Sequence, residues 1–128
     1  MHPLEEFWFI RIGIPEFGGG KTRVTYWGIP YFIDNAAYHA NEAVRLLVAF
    51  TAKWKAEVYI QEAPPGIARA VSDYGSDLTV EQLDRSKLYT VMRYSGLSHI
   101  CVDPPPGKES FEPGTLDVRL IFPYEESE

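Results

Sequence analysis

The sequence predicts a single α+β domain over residues 1–128: a two-layer sandwich in which a mixed sheet of about five strands, in ββαβαββ order, carries two helices on one face. Three observations predict it. Aromatic and β-branched runs open and close the chain, a long apolar stretch with helical spacing lies between them, and prolines and glycines separate the segments. A length of 128 residues is near the commonest domain size, so one hydrophobic core is expected.

Residues 7–14, FWFIRIGI, are short and rich in strand-forming types, and residues 21–33, KTRVTYWGIPYFI, read the same way, with Gly28 and Pro30 marking a bulge or an edge. The PEFGGG between them makes the pair a hairpin with a glycine tip. In residues 34–54, Ala40, Val44, Leu47, Val48, Thr51 and Trp54 recur at helical spacing. That predicts a first helix, capped by Asp34 or Asn35, with Lys53 and Lys55 at the negative end of its dipole. AEVYIQE, residues 56–62, alternates apolar and polar side chains and predicts a half-buried strand.

Residues 63–77, broken by Pro64, Pro65, Gly66 and Gly75, read as a long connection with one helical turn. A second helix is expected from TVEQL onward, where Thr79 and Gln82 have capping-box spacing, Leu83, Leu88, Val91 and Met92 form a stripe, and Gly96 stops it. HICVD at 99–103 and LDVRLIF at 116–122 are the closing strands, followed by an acidic tail.

Composition excludes several roles. With 45% hydrophobic, 14% aromatic and 23% charged residues the chain is not disordered. Its net charge of −6 repels phosphate backbones, and its 12 lysines and arginines form no cluster, so nucleic acid is not an expected partner. Cys101 is the only cysteine, which precludes an intrachain disulfide or a thiolate zinc site and suits a reducing, cytoplasmic setting. Acidic residues precede the first apolar run and Arg11 interrupts it, unlike a signal peptide, and no run is long enough to span a bilayer. The three histidines form no metal-binding spacing and no dinucleotide fingerprint is present, so neither a metal nor a cofactor is expected.

GGGKT at 18–22 resembles the end of a phosphate-binding loop, but Pro15 stands where such a loop needs its first glycine. The loop also leads into RVTYW, a strand, where phosphate binding needs the N-terminus of a helix. On the strand HICVD, His99, Cys101 and Asp103 share one face, an arrangement suggestive of a thiol nucleophile with its base. Residues two apart on a strand are separated by roughly 6.6 Å, however, while such a pair needs about 2.6 to 3.2 Å, so no catalytic residue is assigned. Glu62 and Asp103 each precede a proline run at the end of an expected strand. If those strands are parallel neighbours, both carboxylates emerge at the carboxyl ends, where open α/β sheets place ligands.

The aromatic set of the first hairpin is the remaining signal. Adjacent strand residues face opposite sides, so Trp8 with Phe9 and Tyr26 with Trp27 cannot all enter one core. The expectation is a contact surface built from Trp8, Phe17, Tyr26, Trp27 and Tyr31. The sequence therefore points to a small acidic binding or regulatory protein of the inhibitor, immunity or adaptor type, whose partner is another protein or a second copy in a homodimer. The alternative is a small enzyme or ligand-binding domain with a strand-end pocket at Glu62, His99, Cys101 and Asp103.

Overall fold

The structure, a computed structural model, describes residues 7–15, 22–35, 40–108, 111 and 115–121, with backbone alone at 22, 31–35 and 40–44. The described residues form ten elements: β1 (Trp8–Pro15), β2 (Thr22–Tyr26), β3 (Gly28–Asn35), β4 (Ala40–Ala49), α1 (Lys53–Gln61), α2 (Pro65–Tyr74), β5 (Asp77–Gln82), α3 (Arg85–Ser95), β6 (His99–Val102) and β7 (Asp117–Leu120). The class is α+β. Seven strands in two sheets, ordered β2-β1-β5 and β3-β4-β6-β7, replace the expected five in one. The sheet pairing is mixed, because β4 and β6 are parallel while every other pair is antiparallel.

The hairpin of β1 and β2 forms as its composition predicts, with Arg11 opposite Tyr26 and Pro15 opposite Thr22. Its glycine tip lies outside the described residues. Thr22, the last residue of GGGKT, opens a strand and not a helix, in keeping with the argument against a phosphate loop.

The expected second strand divides at Trp27, where one half pairs with β1 and the other with β4. The Trp27 N–H donates to the Ile10 carbonyl at 2.9 Å, and its own carbonyl accepts from the Val48 N–H at 3.1 Å, so one residue joins both sheets. Trp8 and Phe50 close the seam with two backbone hydrogen bonds of 2.8 Å. Gly28 permits the close approach there: a Cβ at this position would lie 2.7 Å from the Leu46 carbonyl oxygen.

Four local expectations are corrected. Residues 40–49 are strand β4, not a helix. Leu46 and Val48 enter one core and Leu47 and Ala49 the other, so residues 46–49 are buried on both faces and their apolar run fits a helix as well as a strand. Residues 53–61, expected in part as a strand, are helix α1, which buries Ala56 and Tyr59 three residues apart on one narrow face. Lys53 and Lys55 thus sit in its first turn, at the positive end of the dipole.

Residues 65–74 are helix α2, entered by Pro65 and ended by Gly75 in the left-handed conformation, φ 64°. Thr79 and Gln82 lie in β5 and form no capping box; α3 begins later, capped by Asp84, whose side chain accepts from the Lys87 N–H at 2.8 Å. Gly96 ends α3 as expected, at φ 69°.

The two cores lie on opposite sides of the sheets. α1 and α2 pack Ala56, Tyr59 and Ile67 against Ile10, Ile12, Trp27, Ile29, Leu46, Val48 and Cys101. α3 packs Leu88 and Met92 against Phe7, Phe9, Leu47, Ile100 and Val102. No helix among the described residues is long and apolar enough to cross a membrane.

Candidate functional site

The parallel register of β4 and β6 sets Leu46 beside His99 and Ala49 beside Val102, so both strands end together. One further rung, Asp103 N–H to the Ala49 carbonyl at 2.8 Å, brings Asp103 alongside the residues that leave β4. Its φ of 51° makes Asp103 the one non-glycine residue in the left-handed region among those described. Aspartate tolerates that conformation better than most residues because its short side chain bonds locally.

Here the carboxylate closes a clasp. Oδ1 accepts from the Thr51 N–H at 2.9 Å and Oδ2 from the Thr51 hydroxyl at 2.7 Å. The Lys55 ammonium donates to the same Oδ2 at 3.1 Å and to Thr51 Oγ1 at 3.0 Å. Partial burial pushes the carboxyl upward, but the Thr51 backbone and hydroxyl donors and the lysine outweigh it, holding Asp103 below the ordinary aspartate range.

A groove of about 290 Å³ opens beside the clasp. Phe50, Val58 and Tyr59 line it from the sheet and α1, while Pro104, Pro105 and Pro106 form the other bank. Trp54, 62% exposed, stands at its edge with the Lys55 ammonium 5.7 Å from the ring centroid. The proline bank turns back at Gly107, φ 84°, where a Cβ would meet the Glu62 carbonyl oxygen at 3.6 Å. A second depression, about 400 Å³, lies on the outer side of α3 at Tyr89, Arg93 and Tyr94, but its lining comes from that one helix.

The expected site residues are dispersed. Asp103 is at a strand end as predicted, with β4 as the parallel neighbour. Glu62 is the exposed C-cap of α1, on no strand, and does not line the groove. Cys101 is fully buried, and burial, aided by Asp117 and Asp103, pushes its thiol up to about 12. Such a thiol is a packing group, not a nucleophile. His99 is half-buried, with Nδ1 2.7 Å from the Ser98 hydroxyl.

Among the hairpin aromatics, Trp27 is a core residue, 9% exposed, its indole N–H donating to the Tyr59 hydroxyl at 3.0 Å. Trp8 is half-buried at the seam, with the Lys53 ammonium 5.9 Å from its ring centroid. Tyr26 donates to Glu81 Oε1 at 3.0 Å, and burial together with that carboxylate raises its phenol to about 12. Phe17 lies outside the described residues, and Tyr31 is described only as backbone in β3, opposite Val44.

Among the described hairpin aromatics, Phe7, Phe9 and Trp27 are buried and Trp8 and Tyr26 half-buried, because sheets covered on both sides accept large side chains on either face. The residues that sequence reasoning missed are Thr51, Trp54 and Lys55. Their only local signal is TAKWK, a tryptophan between two lysines after an apolar run.

No group of three or more histidine, cysteine, aspartate or glutamate side chains among the described residues is placed to hold a metal ion. Compared with family models, curated proteins and solved structures, the chain matches none.

Proposed function

We propose that this is a small acidic binding protein that acts through protein contacts, and that its contact site is the groove at the carboxyl ends of β4 and β6. The observation that carries this reading is Trp54, a tryptophan 62% exposed at the edge of an apolar groove. Tryptophan is enriched among the few residues that dominate binding energy, and a preformed groove beside it avoids the cost of ordering on association. The clasp supports contact over bond-making chemistry, since its carboxylate already accepts three hydrogen bonds and the cysteine nearby is buried. A net charge of −6 favours a partner with a basic surface, another protein in preference to nucleic acid, with a second copy as the self-associating form. The single thiol suits the cytoplasm.

The test is affinity capture from the native cells with wild-type chain and Trp54→Ala, with light scattering to size each assembly. A stoichiometric partner, or a dimer, that disappears in a Trp54→Ala protein of unchanged circular dichroism supports the reading. Equal capture and equal mass in both would reject the groove as the contact site.

A further inference from the structure

The outer edge of β7 has a hydrogen-bonding direction and a charge pattern that agree with one another. Ile121 donates its N–H to the Ser98 carbonyl at 2.7 Å, and the register sets Leu120 opposite His99 and Val118 opposite Cys101. Bonded residues alternate along an antiparallel pair, so Asp117, Arg119 and Ile121 turn their peptide groups toward β6, while Val118 and Leu120 turn theirs outward. β7 is the last strand of its sheet, and no strand among the described residues pairs with that outer edge. Leu120 is 61% exposed on it.

Asp117 and Arg119, two residues apart, share one face of the strand and form a two-point ion pair, Nη2 to Oδ2 at 2.9 Å and Nε to Oδ1 at 3.2 Å. The guanidinium also lies 5.8 Å from the Phe7 ring centroid, which holds it against the sheet. Neither partner is saturated, because a guanidinium has five N–H donors and a carboxylate several lone pairs, of which this pair uses two each. A net charge of −6 makes most approaches of two copies repulsive, but this edge carries one charge of each sign.

A two-fold axis at Val118 satisfies both the backbone and the charges. The two Val118 peptide groups exchange their outward hydrogen bonds, and each Asp117 comes to face Arg119 of the partner subunit in a non-hydrogen-bonded pair, where Cα atoms are about 4.5 Å apart and side chains are closest. Opposite charges directly across a strand pair are stabilising and like charges destabilising. Moving the axis by one residue either way sets aspartate against aspartate or arginine against arginine, so the charges select a single register. The other edges lack this self-complementarity: β5 carries Asp77 and Glu81, both acidic, β2 only Arg23 and β3 only Asp34.

We infer that β7 is a self-association edge, on which a second copy of this chain pairs antiparallel about Val118 and makes the two four-stranded sheets continuous. This contact surface is separate from the groove and does not rest on it.

Sedimentation equilibrium of the wild-type chain is expected to pass from monomer to dimer between about 1 μM and about 1 mM, with amide exchange at Val118 and Leu120 slowing as the dimer forms. Asp117→Arg and Arg119→Asp each set like charges across the pair, and each is expected to dimerise at least about ten-fold more weakly. Mixed in equal amounts, the two folded variants face arginine with aspartate at both sites and are expected to form a heterodimer at wild-type strength. A role confined to the intrachain ion pair predicts no such rescue. Monomer throughout, exchange at both amides indifferent to concentration, or a mixture that stays monomeric overturns the inference. The exchange measurement needs no substitution, so it decides even if a variant fails to fold. A dimer that Trp54→Ala dissolves while both β7 variants keep it overturns this inference and leaves the groove reading standing, whereas the reverse pattern supports the β7 edge.

Discussion

Thr51 and Asp103 are joined by two hydrogen bonds, backbone N–H to Oδ1 at 2.9 Å and hydroxyl to Oδ2 at 2.7 Å, across 52 residues of chain. The pair ties the exit of β4 to the end of β6 and orients Lys55. Asp103→Asn keeps an acceptor and a side chain compatible with positive φ, and is expected to cost about 1 kcal/mol. Asp103→Ala removes every acceptor and puts a methyl group in the left-handed region; about 3 kcal/mol is expected. Urea unfolding of the two variants checks the order. Midpoints in both variants equal to that of wild type would mean that the clasp contributes no stability.

The same carboxylate sets an acid limit. Its native pKa lies below the ordinary aspartate value, so the unfolded chain binds the proton more readily. Its contribution is therefore fully present above about pH 4, the ordinary aspartate value, and is lost as pH falls through the depressed native pKa. Unfolding free energy measured between neutral pH and pH 3 is expected to fall less in Asp103→Asn than in wild type. Parallel profiles would refute the assignment.

Trp27 and Tyr59 form the polar link inside the larger core, 3.0 Å from indole nitrogen to hydroxyl oxygen. Tyr59→Phe leaves a buried N–H without this acceptor, and about 2 kcal/mol of destabilisation is expected. A double-mutant cycle with Trp27→Phe isolates the pair, and its coupling should be positive. A cycle that sums to zero would mean that the hydroxyl acts through another neighbour.

The elements legible in the sequence were those whose signals are local. The aromatic and β-branched run from Phe7 to Ile14, the closing strands near His99 and Val118, and the glycine stop at Gly96 are fixed by neighbours a few residues away. Residues 40–49 were not, because Leu46, Leu47, Val48 and Ala49 are covered on both faces and lose a strand's alternation, and so short an apolar run fits either period. Thr79 and Gln82 have a helix-cap spacing, yet Leu78 and Val80 gain more by alternating against β1. Pro65 and Gly75, read as loop punctuation, bound a helix between them. At the site, Asp103 was legible as a carboxylate at a strand end. Thr51, Trp54 and Lys55 were not, since only the parallel pairing of β4 with β6 brings them beside it.

Cys101 offers the sharpest separation of packing from chemistry. Its side chain faces Ile10, Val48 and the rest of the larger core, fully buried. Burial, with the negative charges of Asp117 and Asp103, raises the thiol to about 12. The thiolate is the nucleophile, and at neutral pH such a group holds almost none. Ellman's reagent is therefore expected to label no thiol in the native protein at pH 8 on the timescale that labels a free cysteine, and one thiol per chain in denaturant. Labelling that does occur should follow global opening, accelerating in the clasp variant Asp103→Ala by about ten-fold for each 1.4 kcal/mol of lost stability. Rapid native labelling, independent of that variant, would return Cys101 to the list of reactive residues and revive the strand-end pocket as a chemical site.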